Sequence, residues 1–372
     1  MPRWIVQWRP RLVRCMLWSL AVLSVAGGRG WANHVHMPEG PFGGIALGVL
    51  ADRATSQVLY AVVFGGGIFK SINGGQVWTG INTGLENPYV FCLVQDPSAP
   101  SVLYVGTNAG VFKTTSGGEQ WLPARQGLEE RNIRAMALDH QRPARLFAAT
   151  DAGVYRSDDG GGRWSPARQG LDSLDVRAVT IDPLRPDTLY GAAFGGIFTS
   201  LDGGHTWQPT PGQPADRHVR ALAIDTHRPV TLYAGTARGG IYRSTDAGAT
   251  WTALNEGLGS TSVLSLVAVP TSPVTLYAGT VAGLYRLIDG EARWTTLGGG
   301  RLLSVTAIAP DPHHRDRLYV GTGGFVWKTP DGGHTWIDLS PWVRHPMPIA
   351  PTPHGSASPP SPTTGHPTTE RR

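Results

Sequence analysis

An all-β chain, a single seven-bladed β-propeller of four-stranded antiparallel blades, is the fold class the sequence predicts. Three observations predict it. A tryptophan-ended turn motif recurs seven times, with tryptophans at 78, 121, 164, 207, 251, 294 and 336, spaced 43, 43, 43, 44, 43 and 42 residues apart. A fixed period in this range marks a repeat architecture, in which each unit buries its faces against its neighbours. Each period has room for four short strands, the content of one propeller blade. Glycine (49) and proline (30) are abundant and charged residues make up only 16%, which suits short strands and tight turns better than helices.

Residues 218–254, "HVRALAIDTHRPVTLYAGTARGGIYRSTDAGATWTAL", show one unit. "VRALAI" is an apolar run closed by the turn "DTHRP", as expected of a buried strand. "VTLYAG" is a second strand, β-branched and aromatic. "GIYRS" is a third and "ATWTAL" a fourth. The other units repeat this order: second strands read LYAVV, LYVGT, LFAAT, LYGAA, LYAGT, LYAGT and LYVGT. Every unit is whole within its own stretch of chain, so the ring is expected to close without exchanging a strand between the termini. Third-strand basic residues at Lys70, Lys113, Arg156, Arg243, Arg286 and Lys328 alternate with aromatics. They are expected to reach solvent in a structural role.

The turn between third and fourth strands explains its own residues. In "SLDGGHTW", Asp202 is placed to accept hydrogen bonds from N–H groups of its own turn, and Ser200 does so more weakly. Gly203 and Gly204 permit backbone angles closed to other residues. Trp207 is expected to cover the turn between blades; burying ~200 Å² at ~25 cal/mol/Å² is worth roughly 5 kcal/mol gross. The same roles fall to Ser71, Asn73 and Trp78, to Trp121, to Asp159 and Trp164, to Asp246 and Trp251, and to Asp331 and Trp336. The sixth copy keeps Asp289 and Trp294 but has Leu287 for Ser and Glu291 for Gly.

The pattern S/T-x-D-x-G-x-x-W after an aromatic-basic third strand resembles the Asp-box, or bacterial neuraminidase repeat. Residues 45–340 thus resemble the Asp-box propellers: the sortilin ectodomain, the photosystem II assembly factor family, xyloglucanase-type glycoside hydrolases and sialidases. The resemblance implies the fold; it leaves open protein binding, glucan cleavage and sialic acid cleavage, since one scaffold serves several functions. The Arg-Ile-Pro tripeptide of sialidases does not occur here. Nine of ten tyrosines stand at repeated strand positions, and only Tyr89 does not.

Outside the repeats, residues 1–32 read as a signal peptide. Five arginines and no acid accompany an apolar run, Cys15 to Ala26, too short for the ~20 residues of a membrane span. Cleavage is expected before Asn33, with an uncleaved anchor as the alternative. Residues 33–44 read as a linker, and 341–372 as a disordered Pro/Ser/Thr-rich tail. The leader's arginines account for the whole formal excess of +5, so no affinity for nucleic acid is expected. Cys92 then stands alone, excluding an intramolecular disulfide. No residue set demands a cofactor or metal; His34 and His36 are a weak exception. A monomer without a membrane span, exported to the periplasm or beyond, is expected.

The candidate site lies where the connections between blades meet the innermost strands. Arg134, Arg177 and Arg220 recur at 43-residue intervals in "NIRAMAL", "DVRAVTI" and "HVRALAI", with Arg131 and Arg217 beside them. Guanidiniums clustered at one sector of a channel mouth suit a protein or carbohydrate ligand bearing acidic groups. Duplication is the other reading of the row, because "PARQGL" occurs twice and Arg142, Arg185 and Arg228 repeat on the opposite face. Two function classes follow: a non-enzymatic propeller that binds a protein partner or assists assembly of an envelope complex, or a carbohydrate-binding or hydrolytic one. Hydrolysis needs two converging acids, for which Glu86, Glu129, Asp175 and Asp216 are the candidates.

Overall fold

Seven four-stranded antiparallel sheets follow one another along the chain, the first from Ala46 to Gly80 and the last from Ala307 to Asp338. The structure, a computed structural model, describes residues 44–225 and 231–340. The expected leader, nearly all of the linker, the tail, His34, His36 and Arg228 lie outside the described residues. Within each sheet the strands lie in chain order, first strand innermost. First strands of neighbouring blades pack together around the ring, including Ala307–Pro310 of blade seven against Ala46–Ala51 of blade one. The chain is therefore a seven-bladed β-propeller, closed without a shared strand.

The burial of each strand follows from its place in the blade. Second strands such as Leu103–Thr107 and Leu189–Ala193 are buried at every position, because neighbouring blades cover both sheet faces. The core is accordingly distributed over the seams. Leu59, Phe69 and Trp78 of blade one pack with Tyr319 and Leu339 of blade seven, for example. Fourth strands are shorter than the sequence suggests, two or three residues, such as Thr252–Ala253 and Thr295–Leu297. Each tryptophan precedes its fourth strand and turns toward the preceding blade instead of joining the ladder.

There the indole Nε1–H donates to a backbone carbonyl. Trp121 donates to Ile81 (2.7 Å), Trp164 to Ala124 (2.8 Å), Trp207 to Ala167 (2.8 Å) and Trp294 to Leu254 (2.7 Å). Trp78 closes the ring by donating to Leu339 at 3.1 Å. Two copies depart from this. Trp336 donates within its own turn, to Gly333 at 3.1 Å, and the buried Trp251 indole N–H has no acceptor among the described residues.

The repeated turns are built as their residues require. Ser157 Oγ donates to Asp159 Oδ1 (2.8 Å), which also accepts from the Arg163 N–H (2.9 Å), while the Gly161 N–H donates to Ser157 Oγ (2.9 Å). Ser200–Asp202, Ser244–Asp246 and Thr329–Asp331 repeat this, and Asn73 substitutes for the acid in the first copy by accepting from the Val77 N–H at 2.9 Å. In the degraded sixth copy Asp289 is instead paired with Arg243 of the preceding blade at 3.1 Å.

The third-strand basic residues do more than reach solvent. Lys70, Lys113 and Arg156 each donate to the carbonyl of a glycine in the next blade's turn: Gly117 (3.0 Å), Gly160 (3.0 Å) and Gly203 (2.8 Å). Blade four has the buried Thr199 at this position. The strap is therefore missing between blades four and five.

Candidate functional site

In six blades the innermost strand carries one residue more than its partner strand near its start. The extra residues are Leu47, Phe91, Arg134, Arg177, Arg220 and Leu264. A bulge of this kind bends the strand and re-aims the unpaired side chain. The arginine row thus occupies bulge positions on three consecutive blades, on the face that carries the connections between blades. Leu264, Leu47 and Phe91 hold the equivalent places on blades six, one and two.

The three arginines are not equivalent. Arg134 is held by Asp151 in the adjacent hairpin, through Nε to Oδ1 (2.8 Å) and Nη2 to Oδ2 (3.1 Å). Arg177 is exposed and makes a single contact, Nη2 to Asp175 Oδ2 at 2.8 Å. Arg220 makes no hydrogen bond or ion pair among the described residues. Its guanidinium is held below the usual arginine range, first by burial and then by the charges of Arg177 and Arg238, while Asp216 acts the other way. It remains cationic at neutral pH. Arg131 and Arg217 stand exposed on the same face, and Arg131 helps hold the Glu86 carboxyl low after its ion pair with Arg125.

Between blades four and five, Arg177 and Arg220 line a pocket of about 80 Å³ with Phe194, His218, Val219 and Ala237. Phe194, 56% exposed, meets the His218 ring edge-on at 5.1 Å. The pocket joins two cations to an apolar wall. Asp216 acts on Arg220 by its charge but does not hydrogen-bond either guanidinium: its oxygens accept from the backbone N–H groups of His218 (3.0 Å), Arg238 (2.8 Å) and Gly239 (2.8 Å) and lie 3.1 Å from His218 Nδ1. Burial works upward on this carboxyl, but those N–H donors outweigh it and hold it far below the usual carboxylate range.

The other candidate acids are similarly occupied. Glu86 is bidentate with Arg125 (2.5 and 2.9 Å), Glu129 lies 3.6 Å from Arg168 and Asp175 serves Arg177. Each of the four is thus engaged in its own blade or the next, and among the described residues they form no free acid pair facing the arginines. On the opposite face the central channel opens as a cavity of about 720 Å³, lined by apolar residues such as Met136, Val179 and Ile308 together with Arg53, Asp139, His140 and Asp182. Burial, and then the charge of Arg53, hold the His140 imidazole below its ordinary value. Cys92 packs beside Ile133 and Met136, where burial pushes its thiol up to about 12, out of nucleophilic range. Among the described residues no three His, Cys, Asp or Glu groups converge to hold a metal ion.

One cluster was not singled out by sequence reasoning. Phe64, at the tip of a blade-one hairpin, packs on Tyr89 (centroids 5.3 Å apart) and Phe91 (6.0 Å) on the connection face. Its signal was present: Tyr89 is the one tyrosine outside the period, and Phe91 stands 43 residues before Arg134.

With this geometry established, solved structures offer a comparison. The chain is similar to the GH74 xyloglucanase from Xanthomonas campestris, with a TM-score of 0.66 and 20% identity over 82% of this chain and 55% of that one. It is similar to YCF48 bound to D1 peptide, with a TM-score of 0.59 and 18% identity over 77% of this chain and 94% of that one. YCF48 from Cyanidioschyzon merolae gives a TM-score of 0.58 and 15% identity over 77% and 96%. At these identities the likeness concerns the fold. The chain spans about half the length of the xyloglucanase it matches. No family model matches the sequence, and no curated protein does. Among the described residues no helix is long and apolar enough to cross a membrane.

Proposed function

We propose that the protein is an exported, non-enzymatic Asp-box propeller that binds a protein partner, or assists assembly of an envelope complex, through the connection face. Arg177 and Arg220 receive a carboxylate of the partner, while Arg134, Arg131 and Arg217 extend the cationic field. One observation carries this reading: Arg220 makes no hydrogen bond or ion pair among the described residues, and the charges of Arg177 and Arg238 act against its proton while Asp216, engaged by backbone N–H groups, acts for it only at a distance. A carboxylate from outside supplies the missing counter-charge, and a guanidinium can hold it in bidentate fashion. The engagement of Glu86, Glu129, Asp175 and Asp216 with partners in their own blades or the next weighs against a glycosidase. The likeness to YCF48 bound to a peptide fits the same class of function, and the leader sequence supports export.

The test uses the full chain and its Arg177→Ala/Arg220→Ala variant as baits for envelope extract, after their thermal melts are matched. Capture of a partner by the wild type is expected to fall at least tenfold in the variant, and to weaken with added salt as screening shortens the reach of the charges. Equal capture by both baits overturns the reading and moves glycan-binding assays to the front.

A further inference from the structure

The face that carries the arginines is divided in two. Around the channel mouth the bulged residues read Arg134, Arg177 and Arg220 over blades three to five, then Leu264, Leu47 and Phe91 over blades six, one and two. The apolar half is not a single exposed side chain. Phe64 packs, with tilted rings, on both Tyr89 and Phe91, with Tyr89 42% exposed; the exposed Ile45 is tied to Phe64 by a backbone hydrogen bond (2.9 Å), and Leu303 and Phe325 of blade seven are exposed as well. An exposed apolar cluster marks interaction sites more often than single exposed side chains do. Aromatic and arginine side chains are the types enriched where partners bind and where the binding energy concentrates.

The dimensions select the partner. The pocket between Arg177 and Arg220, about 80 Å³, lies well below the ~300–1,000 Å³ of small-molecule sites. It takes a carboxylate but not a whole ligand. A ligand satisfying both halves must reach across the channel mouth, from blade four or five to blade one or two. An extended peptide does so at about 3.3 Å per residue, with side chains free to meet the face.

We infer that the face reads an extended peptide segment whose carboxylate end sits on Arg177 and Arg220 and whose aromatic or large aliphatic side chain, several residues upstream, rests on Phe64, Tyr89 and Phe91. This rests on the proposed function and adds the second contact that gives it selectivity. Phe194 and His218 wall the carboxylate pocket, so the residue beside the acid is apolar as well.

A random decapeptide library with free C-termini is panned against three immobilised full-length proteins: the wild type, Arg177→Ala/Arg220→Ala and Phe64→Ser/Tyr89→Ser. Thermal melts are matched first, and Tyr89→Ser alone, at an exposed ring, replaces the second variant if that does not fold. The wild type is expected to enrich an aromatic or large aliphatic residue at a fixed distance before an acid or the C-terminus at least tenfold. The Phe64/Tyr89 variant is expected to lose the apolar preference and keep the acidic one, and the arginine variant to lose the acidic one. An amidated library separates a terminal from a side-chain carboxylate. Acidic enrichment without an apolar preference, or an apolar preference indifferent to Phe64 and Tyr89, overturns this inference and leaves the arginine reading standing. Apolar enrichment without acids, or no enrichment at all, overturns both.

Discussion

At the scale of single residues, the turn aspartates couple the fold to pH. Asp246 and Asp331 are held down at about 2, first by the hydroxyls of Thr250 and Thr335 and then by the backbone N–H groups of the same residues. At Asp202 burial acts upward, but hydrogen bonds from Thr206 and Ser200 outweigh it and hold the group at about 2. An unfolded aspartate titrates near 3.9. The folded values lie lower, so the stabilisation is complete above about pH 4 and is lost as pH falls through about 2. Asn73 shows that an amide can fill the same position without titrating. The variant Asp202→Asn/Asp246→Asn/Asp331→Asn is therefore expected to melt a few degrees below wild type at pH 7, with the gap closing between about pH 4 and pH 2. A gap that stays constant across a pH series of melting curves would show that the ionised form contributes nothing to these turns.

At the scale of elements, the seams differ in ways that can be measured. Trp164 is 2% exposed and its indole donates to Ala124, whereas the Trp251 indole has no acceptor among the described residues. Trp164→Phe leaves the Ala124 carbonyl without its donor, at a cost of about 1–3 kcal/mol, while Trp251→Phe removes an unsatisfied donor and is expected to cost less than about 1 kcal/mol. Denaturant midpoints of the two variants check this, and equal losses would mean that the indole bonds do not distinguish the seams. The blades, their strand order and the turn residues were legible in the sequence because they depend on local pattern and a fixed period. The straps from Lys70, Lys113 and Arg156 were not, because a strand's alternation says that a side chain leaves the sheet and not what it meets 47 residues later. The arginine row was legible as a period, but its internal difference was not. Whether Arg134 is neutralised depends on Asp151 lying across a hairpin in register, and Arg220 has Ala237 at the corresponding place.

At the scale of the whole molecule, closure is what separates this chain from an open stack of repeats, whose end units have a neighbour on one side only. Nothing covalent and no shared strand joins blade seven to blade one. The join includes the Ala46 N–H donating to the Thr322 carbonyl (3.1 Å), Thr306 Oγ1 donating to the Ala46 carbonyl (2.6 Å), the His313 Nε2–Asp52 carbonyl contact (3.1 Å), the Trp78 indole on the Leu339 carbonyl, and the seam core with Tyr319 and the Leu339 side chain. Leu339 lies at the end of the described chain yet is only 7% exposed. Leu339→Ala is therefore expected to cost about 2–5 kcal/mol, as at an interior core position and unlike a fraying terminus. Hydrogen exchange locates the loss. In the wild type the amides of Leu59–Val63 should be protected as well as those of Leu189–Ala193 on the far side of the ring. In the variant, protection should fall first in blades one and seven, because those amides exchange once the seam opens locally, without global unfolding. Uniform loss over all seven blades would mean that the ring opens only as a whole, and that the seam between its ends is no weaker than the rest.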